Sequence, residues 1–257
     1  MPPPPAHHLE HVAIDVVRAA AALVREHTGR ATTAATKTSP TDVVTHTDLA
    51  SETLIRRELE ARCPGSSIVG EEYGEGDGSN RVGWVVDPID GTVNFLYDLP
   101  VVAISIAATI DGEVVAGAVA DVQRGEVFSA SAGRGARRDG EPVSASRAVD
   151  IGQSLVGTGF SYDAEHRASH ADTVATLLAH CRDIRCMGSA ALNLCWVGCG
   201  RLDAHVERDL KRYDFAAGAL IAAEGGATVR EPSDDDDLLI AAAPGVASEL
   251  AVLATKR

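Results

Sequence analysis

Two aspartates follow an apolar stretch in the first half of the chain, and the residues around them suit the binding of cations and phosphate. The apolar run 84–86 predicts a buried strand that ends at Asp87. Pro88 fixes its own φ, lacks an amide hydrogen and holds Asp87 extended, so the chain turns just after the first carboxylate. Asp90 follows three residues after Asp87, and residues 91–92 add two backbone amides. Two carboxylates beside free N–H groups can hold hard cations and a phosphate together, although a turn rich in Asp and Gly without any function is the alternative.

The rest of the sequence predicts the elements that must position these residues. Apolar residues at helical spacing predict helices over about 9–28, 48–62, 165–180, 190–199, 213–224 and 245–254. Short β-rich runs predict strands at 67–70, 84–86, 101–110, 113–121, 126–130, 155–160, 183–186, 202–207, 227–230 and 238–242. Thr47 or Asp48 is expected near the N-cap of the second helix, and Asp111-Gly112 predicts a tight hairpin. The glycine-rich segment 73–81 predicts a mobile loop over the site.

The composition argues against several classes of protein. The 257 residues are ample for a buried core, and no run approaches the ~18 apolar residues that a membrane span needs. The net charge of −14 argues against direct contact with nucleic acid. Residues 1–8 lack the basic and apolar regions of a signal peptide, so they predict a flexible lead and a cytoplasmic protein. Five cysteines without C-x-x-C spacing predict buried free thiols rather than a zinc site: Cys63, Cys181, Cys186, Cys195 and Cys199.

The segment Asp87-Pro-Ile-Asp-Gly-Thr92 resembles the metal-binding signature of the inositol monophosphatase family, a group of lithium-sensitive, magnesium-dependent phosphatases. Three further segments match that family in the same order: Lys37–Asp42 continuing to Thr47-Asp48, Val69–Glu72, and Tyr213–Gly218. The resemblance runs from about Leu9 to the C-terminus. It implies an α+β fold with the layered α-β-α-β-α architecture of the inositol monophosphatase and fructose-1,6-bisphosphatase type.

The domain organisation is expected to follow the motifs. After the flexible lead 1–8, residues 9–149 form an α+β half that carries the metal-binding motifs. Residues 150–257 form an α/β half that completes the active site.

The resemblance also implies a set of metal ligands. Glu71, Asp87 and the carbonyl of Ile89 would hold one ion, and Asp87, Asp90 and Asp214 a second, with a weaker third ion near Glu71. Oxygen ligands without Cys or His suit a hard ion such as Mg²⁺. Crowded carboxylates raise one another's pKa unless cations intervene, so these acids fit a site for two or three Mg²⁺ ions.

Catalytic and substrate-binding roles are implied in the same way. Asp48 and Thr92 resemble the pair that orients the attacking water, although Asp48 as a mere helix cap is the alternative. The Gly91 and Thr92 amides would cradle the phosphate, helped by helix N-termini at Ser189-Ala190 and Asp214. The implied substrate-binding residues are Asp90, Gly91, Thr92, Gly188, Ser189, Ala190, Glu207 and Asp214.

The expectation about the substrate rests on Glu207. In the enzymes that this chain resembles, that glutamate accepts hydrogen bonds from hydroxyls of the inositol ring, and a carboxylate suits a polyol because it can accept from two neighbours. A solvent-facing residue at a strand end is the alternative. Lys37 is expected to support the site through its charge, or else to be a surface lysine. Glu72 is expected to be a spare surface carboxylate, and Tyr213 replaces the tryptophan that the family usually has.

These observations predict a magnesium-dependent phosphomonoesterase. The expected reaction is hydrolysis of inositol 1-phosphate to inositol and phosphate by metal-activated water, with inhibition by lithium. Histidinol phosphate, fructose 1,6-bisphosphate and nucleotide 3′-phosphates are the alternative substrates, because one scaffold serves each of them. A non-catalytic regulatory partner of transcription is the alternative of another class. A homodimer without membrane contact is the expected assembly.

Overall fold

The computed structural model describes residues 3–37, 39–233 and 236–255. Within these residues, helices α1 to α7 cover Ala6–Glu26, His46–Arg62, Thr92–Leu96, Ala164–Leu178, Ala190–Gly198, Arg212–Glu224 and Ala247–Thr255. Strands β1 to β15 cover Thr33–Thr36, Val43–Thr45, Ser67–Gly70, Gly74–Gly76, Val82–Asp90, Ala103–Ile110, Glu113–Asp121, Val127–Ser131, Ala136–Arg138, Glu141–Pro142, Leu155–Thr158, Asp183–Cys186, Ala204–Glu207, Thr228–Arg230 and Leu239–Ala242.

The strands form two large sheets and one hairpin. The larger sheet has eight strands in the order β10-β9-β8-β7-β6-β5-β3-β4, and only its β3–β5 pair is parallel among the described strands. The smaller sheet has five strands in the order β12-β11-β13-β15-β14, with β11 parallel to both of its neighbours. Strands β1 and β2 pair with each other. Strands β5 and β13, which carry candidate site residues, therefore belong to different sheets.

Alternating side chains of the sheets bury three apolar layers. Trp84 and Val86 of β5 pack with α1 and α2, whereas Val85 packs with α5 and α6. In the smaller sheet, Leu239 packs with α5 and α6, and Ile240 packs with α7. Helix α4 lies beside α7 on the same outer layer. The order of layers is thus α1/α2, large sheet, α5/α6, small sheet and α4/α7, which confirms the predicted α-β-α-β-α architecture.

Helix starts differ from the sequence predictions. Helix α1 begins at Ala6 rather than Leu9, so part of the expected flexible lead is helical, while Met1 and Pro2 lie outside the described residues. Helix α2 is capped by Thr45, not by Thr47 or Asp48. The Thr45 hydroxyl accepts from the amide of Asp48, and the Asp48 carboxylate accepts from the amide of Thr45. This capping box moves the helix start two residues earlier than expected.

Other local predictions are confirmed in part. Asp111 and Gly112 both have positive φ, at 52° and 88°, as the predicted tight hairpin between β6 and β7 requires. The glycine-rich segment 73–81 contains the short strand β4, which pairs with β3. All five cysteines are free as predicted, but of these only Cys63 and Cys195 are buried. Among the described helices, none is long and apolar enough to cross a membrane.

Candidate active site

Strand β5 brings the first aspartates into the interior of the molecule. All nine of its residues are buried, because β3 and β6 flank it and helices cover both faces. Its pairing with β6 jumps between Asp87 and Asp90, so Pro88 and Ile89 form a bulge. The missing amide of Pro88 costs no ladder hydrogen bond at a bulge. The Ile89 amide donates to Asp87 Oδ1 at 3.0 Å, which fixes this carboxylate at the turn.

The turn after β5 needs glycine at Gly91. This residue has φ of +89°, and a Cβ there would lie 2.8 Å from the carbonyl oxygen of Val101 and 3.0 Å from that of Gly188. Thr92 then begins the five-residue helix α3, so its amide has no acceptor within the helix. The predicted pair of backbone amides at residues 91–92 therefore lies where this turn closely approaches the backbone at Val101 and Gly188.

Asp90 is held by the start of α5. The Ser189 hydroxyl donates to Asp90 Oδ2 at 2.5 Å, and the Ala191 amide donates to the same oxygen at 2.8 Å. Burial raises the pKa of Asp90 to about 7, with these two donors acting against the rise and the charges of Glu207 and Glu71 adding to it. Ser189 is the N-cap of α5, which confirms the helix N-terminus predicted at Ser189-Ala190. These donors at the start of α5, which we expected to face a phosphate, are bonded to Asp90 instead.

Asp48 and Thr92 meet as the family resemblance implied. Thr92 Oγ1 lies 3.0 Å from Asp48 Oδ1 and 2.9 Å from the Ile89 carbonyl oxygen, so its single hydrogen has two acceptors. Asp48 Oδ2 is engaged by Thr45. Burial raises the pKa of Asp48, and the bonds from Thr45 and Thr92 oppose that rise. Asp48 is thus both part of the helix cap and the partner of Thr92, so the two interpretations of its role are compatible.

Lys37 joins two glutamates at the end of β3. Its Nζ lies 2.7 Å from Glu71 Oε1 and 2.8 Å from Glu72 Oε1. Burial alone would lower the pKa of Lys37, but Glu71 and Glu72 outweigh it and raise that pKa. The Glu72 side chain is only 4% exposed, and burial raises its pKa to about 7 against the opposing effect of Lys37. The expectation of a surface carboxylate at Glu72 is therefore wrong, because Lys37 draws it inward.

Asp214 approaches the site from the first turn of α6. Its Oδ2 accepts from the Lys211 amide at 2.6 Å, and its own amide donates to the Lys211 carbonyl at 3.0 Å. The Asp214 amide, expected to face a phosphate, is therefore already bonded. Burial raises the pKa of Asp214 well above its usual value, and the charges of Asp90 and Glu71 add to this rise.

Asp87 lies where these acids converge. It is 1% exposed, and burial raises its pKa well above its usual value, with further contributions from Glu71, Asp90 and Asp214. We call Glu71, Asp87, Asp90 and Asp214 the carboxylate cluster. In the described ranges, no group of three or more Asp, Glu, His or Cys side chains is arranged closely enough to hold a metal ion as it stands. Ion binding would therefore require these side chains to move toward one another.

The chemistry of the carboxylate cluster nevertheless fits a hard divalent cation. Its donors are oxygens only, they lie largely out of solvent, and the charges of Glu71, Asp90 and Asp214 raise the pKa of other members, a repulsion that a cation would relieve. The ammonium group of Lys37 supplies positive charge to Glu71 in this structure. The donor set therefore suits Mg²⁺ by its chemistry.

Two tyrosines near the carboxylate cluster complete its surroundings. Burial raises the pKa of the Tyr213 hydroxyl, and the charges of Glu71, Asp214 and Asp87 raise it further. Burial likewise raises the pKa of Tyr162, and the charges of Asp90 and Glu71 add to that rise. In the sequence, Tyr213 stood out only as a departure from the family pattern, and Tyr162 did not stand out at all.

No local pattern marked Tyr162, because a loop of the second half brings it to the site. Its carbonyl oxygen lies 3.4 Å from the hydroxyl oxygens of Ser39 and Thr41, in the segment that follows Lys37. This approach of segments more than 100 residues apart could not be read from spacing in the sequence.

Glu207 ends strand β13 close to the carboxylate cluster. Its side chain is 11% exposed, so it is not the solvent-facing residue that was the alternative. Its charge contributes to the raised pKa values of Asp90 and Asp214, which places it beside both acids. A polar substrate bound at the carboxylate cluster could therefore reach Glu207.

Comparisons with known proteins agree with this fold. A model of the inositol monophosphatase family matches residues 6–256. The inositol-1-monophosphatase of Mycobacterium leprae is 46% identical over 228 residues, which are 83% of this chain and 78% of that protein. The Nus factor SuhB of Escherichia coli is 38% identical over 88% of this chain and 85% of its own. The solved structure of Mycobacterium tuberculosis SuhB is similar with a TM-score of 0.83 and 41% identity, covering 97% of this chain and 96% of that one.

The family match and the inositol-1-monophosphatases at 46% identity show a phosphoric monoester hydrolase, which confirms the predicted enzyme class. The chain belongs to the inositol monophosphatase family.

Proposed function

We propose that this enzyme hydrolyses inositol 1-phosphate to inositol and phosphate with the help of Mg²⁺. The observation that carries the proposal is the convergence of four largely buried carboxylates beside the Asp48–Thr92 pair. Glu71, Asp87 and the Ile89 carbonyl would hold one ion, Asp87, Asp90 and Asp214 a second, and the vicinity of Glu71 a weaker third. When bound, the ions would activate the attacking water and stabilise the leaving oxygen.

The residues of the chain would perform the remaining tasks. The Thr92 hydroxyl donates to Asp48, so its oxygen remains able to accept a hydrogen bond from the attacking water. The Gly91 and Thr92 amides would face the phosphate. The start of α5 would act indirectly, because Ser189 and the Ala191 amide fix Asp90. No serine or cysteine is assigned as a nucleophile, so direct attack by water is proposed.

Glu207 supports the choice of a polyol substrate. It is a largely buried carboxylate beside the carboxylate cluster, and within the described part of the chain no donor forms a hydrogen bond to it, so its oxygens can accept from ring hydroxyls. The Mycobacterium leprae relative carries the name inositol-1-monophosphatase, which also supports this substrate. Histidinol phosphate, fructose 1,6-bisphosphate and nucleotide 3′-phosphates are the competing substrates within the same chemistry.

A phosphate-release assay tests the proposal directly. The purified enzyme is incubated with inositol 1-phosphate and each competing ester, once with Mg²⁺ and once with a chelator. The expected result is Mg²⁺-dependent release with the highest kcat/KM for inositol 1-phosphate. A higher kcat/KM for another ester would overturn the substrate, and release that persists in the chelator would overturn the metal assignment.

The regulatory alternative and the assembly can be tested with the same preparation. The Escherichia coli relative is named a Nus factor, but the retained acids and the Asp48–Thr92 pair favour catalysis in this chain. Absence of phosphate release from every ester would favour the regulatory role instead. We also propose a cytoplasmic homodimer that lithium inhibits. Light scattering after size-exclusion chromatography and lithium titration of the assay test the last two points.

A further inference from the structure

A histidine lies buried behind Glu207 on the same strand. His205 is fully buried, and neither of its ring nitrogens has a hydrogen-bond partner among the described residues. Its Nε2 lies 3.2 Å from Glu207 Oε2, within the range of an ion pair but without the alignment of a hydrogen bond. Residues two apart on a strand share one face, so the two side chains are neighbours by construction. Among the described residues, His205 carries the basic nitrogen nearest to Glu207.

Strand β11 and the residue that follows it leave room for this pair, because Gly157 lies in the strand and Gly159 comes just after its end. Gly157 is in register with His205, and a Cβ at Gly157 would lie 3.1 Å from His205 Nδ1. A Cβ at Gly159 would lie only 1.9 Å from Glu207 Oε1. No side chain could stand at Gly159 unless the Glu207 carboxylate moved. The two glycines thus form a cradle into which His205 and Glu207 fit.

A third polar group closes the same space from helix α5. Asn193 is 1% exposed, and both polar atoms of its amide are without a partner in the described residues. A Cβ at Gly157 would lie 3.5 Å from Asn193 Cγ, so Asn193 and the Nδ1 side of His205 approach the same glycine. Buried polar groups without partners are costly, so the His205 ring and the Asn193 amide, both without a partner in the described residues, indicate with the nearby Glu207 carboxylate a network that small rotations complete.

We propose that His205 is a positioning residue for Glu207 in substrate binding. Its Nε2–H donates to the Glu207 carboxylate, while the amide N–H of Asn193 donates to Nδ1 and selects that neutral tautomer. With one lone pair engaged by His205, the carboxylate is held in one rotamer and its remaining lone pairs face the ring hydroxyls. This inference rests on the proposed role of Glu207 in binding a polyol, and it adds the residues that fix its orientation.

The kinetic test compares two variants of His205 on two substrates. His205→Phe keeps a ring but removes both nitrogens, and His205→Gln keeps a donor of similar reach. At saturating Mg²⁺, His205→Phe should raise the KM for inositol 1-phosphate about tenfold, the effect of losing one hydrogen bond to a carboxylate, with little change in kcat. The KM for an aryl phosphate should stay within about twofold of wild type, since that ester has no polyol. His205→Gln should restore most of the affinity.

Two variants on α5 provide a second route if His205→Phe does not fold. Asn193→Leu removes the amide while keeping a side chain branched at Cγ, and it should raise the KM for inositol 1-phosphate in the same direction, by a smaller factor. Trp196→Phe is the matched control, because it removes another buried nitrogen without a described partner on the same helix. It should leave both KM values unchanged. Equal effects on both substrates, or the same effect from Trp196→Phe, would overturn the inference in favour of general packing.

A spectroscopic readout separates this inference from the proposed substrate. Nitrogen-15 NMR of the histidine rings, assigned with His205→Gln, should show His205 as the Nε2–H tautomer. Glu207→Gln should shift its ring nitrogen signals. The Nδ1–H tautomer, or signals that do not respond to Glu207→Gln, would overturn the pairing even if inositol 1-phosphate is the substrate. A wild-type enzyme that does not hydrolyse inositol 1-phosphate would overturn the role in polyol binding, while the NMR result would still decide whether His205 holds Glu207.

Discussion

The carboxylate cluster and Glu207 lie close together, but the groups that surround their carboxylates are different. Asp87 meets other acids that raise its pKa, and its one described hydrogen-bond donor from the backbone is the Ile89 amide. Glu207 instead lies against Gly159 and beside a histidine. Acids that repel one another are stabilised when a cation binds between them. An acid that fits into a glycine cradle is held in one orientation. The first arrangement suits metal-assisted catalysis, and the second suits substrate binding.

The largest expected effect is that of Asp87→Asn, which removes the charge shared by the proposed ions. We expect kcat to fall by at least about 10³-fold, or about 4 kcal/mol, for every phosphate ester. Steady-state assays at several Mg²⁺ concentrations measure this. The matched control is Asp111→Asn, since that side chain is 51% exposed on the hairpin and pairs with Arg81. Near-normal turnover of Asp87→Asn at ordinary Mg²⁺ would show that the cluster does not share its ions through this residue.

The repulsion within the carboxylate cluster also predicts how the metal-free protein responds to pH. Asp90 has a pKa of about 7 in the folded chain instead of the usual 3.8, mainly because it is buried. A raised pKa means that the folded state binds the proton more tightly than the unfolded state does. The stability that this proton gives is complete below about pH 4 and is lost as the pH rises through about 7.

Unfolding in urea at several pH values, with a chelator present, measures this loss. We expect a decrease of a few kcal/mol between about pH 4 and 7, since one pKa unit corresponds to about 1.4 kcal/mol. Asp90→Asn should make the dependence less steep, while the other acids of the cluster keep part of it. Added Mg²⁺ should restore stability near pH 7. A metal-free protein whose stability rises over this interval would contradict the idea of a repulsive cluster.

A third prediction concerns a contact beside the carboxylate cluster that joins the two halves of the chain. Asn94 Nδ2 donates to the carbonyl oxygens of Val101 at 2.9 Å and Met187 at 2.7 Å, so it links the turn after β5 to the segment before α5. Asn94→Ala leaves both carbonyls without this donor, and we expect a loss of about 2–4 kcal/mol in unfolding free energy. Asn80→Ala, at an exposed asparagine that donates to the Pro64 carbonyl and accepts from the Val82 amide, should cost less, about 1 kcal/mol. Equal losses in the two variants would mean that Asn94 has no special part in joining the two halves of the chain.

The same contrast explains what the sequence could and could not predict. Residues 87–92 were found because one short segment holds the strand end, the bulge and the turn together. The start of α2 was misplaced because Thr47 and Asp48, the predicted caps, and Thr45, the observed cap, are all residue types that can cap a helix. The bonds from α5 to Asp90 join residues 99 and 101 positions apart. Contacts at such separation depend on how the layers stack, which local patterns do not specify.

The surroundings of Glu207 were less predictable from the sequence than the carboxylate cluster. Glu207 was identified by resemblance, but its support was not, because a glycine on one strand and a histidine on another carry no joint signal in the sequence. Register makes them partners: Gly157 is opposite His205 across the parallel β11–β13 pair. Pairing of parallel strands depends on the crossover between them, so the cradle became visible only with the sheet.

The smallest expected effect is that of Glu207→Gln, and the variant to compare with it is Asp214→Asn, seven residues away. The comparison separates substrate binding from catalysis. Asp214→Asn should lower turnover for every phosphate ester, since it removes a proposed ligand from the carboxylate cluster. Glu207→Gln keeps one acceptor and nearly the same shape, so it should weaken inositol 1-phosphate by only about 1–3 kcal/mol. An aryl phosphate without hydroxyls should hardly respond to it. Values of kcat/KM for both variants on both substrates, at saturating Mg²⁺, provide the measurement. If Glu207→Gln lowers kcat/KM for the aryl phosphate as much as for inositol 1-phosphate, Glu207 belongs to the catalytic apparatus, and the division between the two regions is wrong.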